Sequence, residues 1–129
     1  MKKKRILVVD DEKDNAEVFS IALEDTGLFE VDSFTDPILA LSSFKPDTYD
    51  LAILDIKMPR MNGYDLYEKM KNMDNKINVC FLTAFGEGYY KEFKRRFQVR
   101  QEDSSATHVH FLRKPITIDD LVKKVNEII

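Results

Sequence analysis

The chain has 129 residues, 43% of them hydrophobic and 33% charged, and a formal net charge of −3, which is the composition of one globular domain and gives no overall electrostatic reason to bind nucleic acid. A single cysteine, Cys80, excludes an internal disulfide framework and a cysteine-based zinc site. No run approaches the ~20 apolar residues that cross a bilayer, and the apolar run after Lys2-Lys3-Lys4-Arg5 stops at Asp10, short of a secretory core of ~7–15 residues, so a cytoplasmic protein with no membrane contact is expected.

Residues 5–9 form a short, nearly continuous aliphatic run with β-branched members, the pattern of a strand buried on both faces. From 14 to 25, Ala16, Phe19, Ala22 and Leu23 recur at helical spacing, with Asp14 as the expected N-cap and Gly27 as the residue beyond the C-cap. Residues 29–34 alternate as a second strand. Asp36-Pro37 reads as an N-cap followed by proline at the first helical position, opening a helix to about Phe44. Residues 51–54 are a third apolar run, ending on Asp55. Pro59 to Gly63 reads as a loop, after which Tyr64, Tyr67 and Met70 mark a third helix. Residues 78–83 are the fourth strand, 89–97 a fourth helix whose Tyr89, Phe93 and Phe97 form its core face, and 108–112 the fifth strand. Thr117, with Asp120 three residues on, caps a last helix carrying Leu121, Val122, Val125 and Ile129. Five strands alternating with five helices predict an α/β fold: one parallel sheet with right-handed crossovers, covered on both faces, as a single domain over residues 1–129.

In such open sheets, sites form outside the carboxyl ends of the strands. Those ends carry Asp10 and Asp11, then Asp55, then Thr83, and finally Lys114-Pro115. Two like charges ~4 Å apart at an effective dielectric of about 20 repel by roughly 4 kcal/mol, so three acids stay ionised together only with a cation among them. Hard carboxylate oxygens without thiolate or imidazole favour Mg²⁺ or Mn²⁺. Singly, each residue has a plain structural explanation: a turn acid, a strand-end acid, a loop hydroxyl, a solvated lysine. Jointly, four strand ends presenting matched chemistry at one edge argue for a site. Without the usual glycine scaffolds, no P-loop or dinucleotide fold is available.

The strings Val-Val-Asp10-Asp11-Glu12, Leu-Asp55-Ile-Lys-Met-Pro59-Arg-Met-Asn-Gly63, Leu-Thr83-Ala84 and Leu-Arg-Lys114-Pro115 resemble the receiver domain of two-component response regulators, over residues 4–129 and in the family's order. The resemblance implies a flavodoxin-like (βα)5 sheet of strand order 2-1-3-4-5 and a phosphoacceptor signalling domain rather than an enzyme. By it, Asp55 accepts the phosphoryl group; Asp10, Asp11, Asp55 and the backbone carbonyl of Lys57 hold Mg²⁺ (or Mn²⁺); Thr83 and Lys114 are the switch hydroxyl and lysine, and Phe111 stands at the switch-aromatic position. The implied partners are a histidine kinase or phosphotransfer protein and an output protein at the surface of the fourth predicted helix, fifth strand and last helix, with homodimerisation on phosphorylation left open. No output domain is expected within the chain.

Two rival functions compete with this one. A phosphorylation-independent interaction module would typically lack some of these acidic and switch residues. A haloacid-dehalogenase-like phosphatase would carry a second aspartate two residues after the nucleophile, where this chain has Lys57. Among lesser features, Cys80 reads as a small buried hydrophobe, His108 and His110 as structural or solvated side chains, Gly86 and Gly88 as loop residues, and Lys2 to Arg5 as a solvated entry to the first strand. The separation of 31 residues between Thr83 and Lys114 exceeds that of most receivers, and the polar stretch 98–107 is expected to be a surface loop or a frayed helical extension. Between residues 87 and 100, five Lys or Arg face two Glu. A run of this kind is most simply a solvated helix face, or else a surface at the switching face that docks an acidic partner, with nucleic acid the weaker alternative.

Overall fold

The computed structural model of the chain describes residues 2–84, 91–92, 95–96 and 108–129. Five parallel strands, β1 (Lys4–Val9), β2 (Phe29–Phe34), β3 (Leu51–Asp55), β4 (Asn78–Thr83) and β5 (Val109–Arg113), form one sheet in the order β2-β1-β3-β4-β5. Helices α1 (Lys13–Asp25), α2 (Pro37–Ser43) and α3 (Gly63–Met73) follow the first three strands, and a C-terminal helix (Ile118–Ile128) follows β5. Lys91, Glu92, Arg95 and Arg96 are helical too. The expected core face of Tyr89, Phe93 and Phe97, the loop glycines 86 and 88, and the polar stretch to residue 107 lie outside the described residues.

The central strands are apolar throughout because the sheet is covered on both faces. One layer packs Leu7, Val9, Ala52, Leu54, Val79 and Phe81 against α2 and α3. The other packs Ile6, Val8, Ile53, Cys80 and Leu82 against α1 and the C-terminal helix. Cys80 is fully buried, as its mid-strand position implies, and burial pushes its thiol up to about 12. Phe81 meets Tyr64, Tyr67 and Phe111 with ring centroids 4.9, 5.5 and 5.4 Å apart.

The caps follow the sequence with one exception. Asp36 accepts from the Ile38 N–H at 2.9 Å, with Pro37 beginning α2, and Thr117 Oγ1 accepts from the Asp120 N–H. Gly27 has φ +77°, the left-handed conformation that ends α1. Asp14 is not the N-cap of α1, however: the helix starts at Lys13 and the cap position falls on Glu12. Glu12 gives no side-chain cap, its carboxylate instead accepting from Asn15 Nδ2. Lys2 to Lys4 are exposed as expected, but Arg5 is not simply solvated. Its guanidinium donates to Asp32 at 2.8 Å and lies 5.6 Å from the centre of the Tyr49 ring, while the Tyr49 hydroxyl donates to the same Asp32 oxygen. His108 is likewise structural, Nδ1 lying 2.9 Å from Asn78 Oδ1.

Candidate functional site

The parallel arrangement aims every strand at the same edge, and the predicted residues meet there. Asp10 follows β1 and is fully buried, Asp55 ends β3 at 6% exposure, and Thr83 ends β4, also buried. Lys114 follows β5, its backbone N–H donating to the Thr83 carbonyl at 2.7 Å. The Lys114 ammonium reaches 3.1 Å from Asp10 Oδ2 and 3.5 Å from Asp55 Oδ2. Asp11 is exposed, yet Asp10, Asp11 and Asp55 each present a carboxylate oxygen, and all three oxygens lie within 4.8 Å of one another.

Beside this cluster is a cavity of about 170 Å³ lined by Asp11, Glu12, Asp55, Ile56, Lys57, Leu82, Thr83, Ala84 and Lys114. Lys57 thus borders the cavity and is exposed. Phe111 is not among the lining residues; it is half-buried on β5 against Phe81.

Charge dominates the energetics. Burial pushes the Asp55 carboxyl up to about 7; Lys114 pulls it down, and Asp10 and Asp11 raise it further. Burial also opposes the Lys114 ammonium, but Asp55 and Asp10 outweigh it and hold the lysine above its ordinary value. One lysine for three acids leaves the cluster under-compensated. An all-oxygen set this close fits a hard divalent cation such as Mg²⁺ or Mn²⁺, with soft ligands absent from the described cluster.

The loop after Asp55 is held by residues that carry no chemistry themselves. Asn62 caps α3 in a reciprocal box: its Oδ1 accepts from the Asp65 N–H at 2.8 Å, and Asp65 Oδ2 accepts from the Asn62 N–H at 3.2 Å. The Asn-x-x-Asp spacing is a legible form of this box, although the sequence reading did not use it. Gly63 donates to the Ile56 carbonyl at 2.8 Å, and a Cβ on it would stand 2.5 Å from the Asp55 carbonyl oxygen. Since that neighbour is backbone, Gly63→Ala is expected to displace the Asp55 loop and to cost about 1–3 kcal/mol, the range for overpacking a tight site. Urea unfolding measures it, and an unchanged midpoint would contradict the contact.

Comparison with known proteins points to one family and one fold. The profile of the family described as "response regulator receiver domain" matches residues 6–126. The transcriptional regulatory protein DltR of Streptococcus agalactiae is 31% identical over 121 residues, 94% of this chain and 50% of that protein. The response regulator SaeR of Staphylococcus epidermidis is 40% identical over 79 residues, 61% of this chain and 34% of SaeR. The chain therefore spans about a third to a half of the length of these relatives. A CheY-like response regulator receiver domain protein from Methanospirillum hungatei superposes with a TM-score of 0.80 at 25% identity, covering 98% of this chain and 93% of that one.

Proposed function

The chain belongs to the response regulator receiver domain family of two-component systems, and from that premise we propose that Asp55 is its phosphoacceptor, supplied by a histidine kinase or phosphotransfer protein. One observation carries the assignment. Asp55 is the buried acid that faces the cavity while lying within reach of both the Lys114 ammonium and two further carboxylates.

In the reaction, an ionised Asp55 oxygen attacks phosphorus, the bond from phosphorus to the donor nitrogen breaks, and the donor imidazole leaves with the bonding electron pair. The product is an acyl phosphate on Asp55. Phosphoryl transfer asks the protein mainly for positioning and charge neutralisation. Lys114 supplies a fixed positive charge, the Thr83 hydroxyl can donate to a phosphoryl oxygen, and the short Ala84 side chain leaves the mouth open. Asp10, Asp11, Asp55 and the Lys57 carbonyl would hold Mg²⁺. When bound, that ion neutralises acid and phosphoryl charge and favours the ionised, nucleophilic form of Asp55.

The added phosphoryl charge and acceptor oxygens then draw Thr83 and Lys114 inward. Movement of Thr83 gives Phe111 room to turn, altering the surface of β5, the C-terminal helix and the helical residues 91, 92, 95 and 96, where an output partner would bind. All 129 residues are assigned to this single receiver unit.

Incubation with acetyl phosphate and Mg²⁺ tests the proposal. A mass gain of one phosphoryl group, located on Asp55 and absent without Mg²⁺, is the expected result. No gain would favour a phosphorylation-independent module, and steady turnover of phosphomonoesters a phosphatase.

A further inference from the structure

Arg96 lies 13 residues beyond Thr83 in helical backbone, within the basic run that reads from sequence as a solvated face or a docking surface. Arg96 is exposed, and its guanidinium is paired with two acids of the same chain. Nη2 donates to Asp65 Oδ1 and, at 2.9 Å, to Glu68 Oε2. These two acids stand three residues apart on one side of α3, and the single Nη2 bridges their carboxylates.

Asp65 is also the residue that closes the α3 cap, its second oxygen accepting from the Asn62 N–H. Burial opposes ionisation of Asp65, but the bonds from Arg96 and Asn62 outweigh it and hold the carboxyl below its ordinary range. The next residue in the cap, Gly63, is hydrogen-bonded to Ile56 and pressed against the Asp55 carbonyl. An unbroken series of contacts thus runs from Arg96 through Asp65 and Asn62-Gly63 to the backbone of Asp55.

We propose that Arg96 is a positioning residue that couples its own helical segment to the Asp55 loop by completing the N-terminal cap of α3. The coupling is purely structural; its signalling meaning rests on the assignment of Asp55 as phosphoacceptor. Under that assignment, Arg96 joins the segment to the site in addition to the covalent chain that leads from Thr83. Coupling is reciprocal, so whatever shifts the Asp55 loop also shifts the Arg96 pairing.

The experiment is residue-resolved amide hydrogen exchange on the whole chain without metal or phosphodonor. In Arg96→Ala, the Asn62 and Gly63 amides are expected to exchange about two- to five-fold faster, the scale of a partly exposed ion pair, while Leu54 and Phe81 keep their rates. Raising the salt to 1 M should move the same two amides of the wild type toward the variant and leave the variant unmoved, and Arg96→Lys should recover part of the protection. Unchanged exchange at Asn62 and Gly63, or an equal rise across the core, overturns the coupling. Failure of the wild type to take up phosphoryl from acetyl phosphate overturns the assignment of Asp55 instead, and the exchange arm still decides the role of Arg96.

Discussion

Asp55→Asn is expected to lose phosphoryl uptake altogether while making the metal-free protein more stable at neutral pH. The first effect follows from the chemistry. The amide keeps the shape of the side chain, but its oxygen carries no negative charge with which to attack phosphorus. The second follows from the raised carboxyl. In the unfolded chain Asp55 ionises above pH ~4, whereas in the fold, burial among Asp10 and Asp11 keeps it protonated to about 7. Stability contributed by the protonated form is therefore complete below pH ~4 and is lost progressively as pH rises through 7. Asparagine is neutral throughout and escapes the loss. Lys114 keeps Asp10 as its partner in the variant, so the gain is a fraction of the full linkage, about 1–2 kcal/mol or roughly 5 °C. Thermal melts in chelator should show the two proteins converging at pH 4 and diverging by pH 7.5. A variant that still acquires a phosphoryl group would place the acceptor elsewhere, and one destabilised at pH 7.5 would show that Asp55 is held by attraction rather than under repulsion.

The parallel sheet was legible because its strands are short aliphatic runs that each end abruptly on a polar residue. Leu51 to Leu54 followed by Asp55, and Val79 to Leu82 followed by Thr83, mark both the buried segment and the site at its carboxyl end. Asp36-Pro37 and Thr117 were legible as caps because cap chemistry is local. The misreading of Asp14 has the same origin: an acid near a helix start looks like a cap, and only the backbone path decides whether Glu12 or Asp14 holds that position. What sequence could not supply was the contacts made across elements away from that edge. Arg5 belongs to a run of lysines, and nothing in that run foretells Asp32 arriving from β2 and Tyr49 from the segment before β3. Gly63 reads as a loop glycine, while its closeness to Asp55 is a property of α3 packing back on β3. Arg96 similarly reads as one charge among many until α3 presents Asp65 and Glu68 to it.

Mg²⁺ is expected to raise the melting temperature of the wild type strongly and that of Asp11→Ala little. An ion that binds the folded acid cluster and not the unfolded chain stabilises by mass action, ~2.7 kcal/mol at a hundred-fold excess over Kd. That corresponds to roughly 8 °C for a domain of this size. Asp11 is the informative acid to remove because it is exposed, so its loss leaves no buried group without a partner. Asp10 is different: it is fully buried, its Oδ1 accepts from the Glu12 N–H at 3.0 Å and its Oδ2 receives Lys114. Replacing it would remove one of the two acids that Lys114 pairs with and the acceptor of the Glu12 N–H, and would confuse metal loss with general destabilisation. In chelator, Asp11→Ala should melt at or slightly above the wild type, since one of three clustered negative charges is gone. On titration with Mg²⁺ the wild type should then climb past it, the two curves crossing. Parallel responses in the two proteins would mean that Mg²⁺ is not held by Asp11, and the remaining acids with the Lys57 carbonyl would have to hold it without this residue.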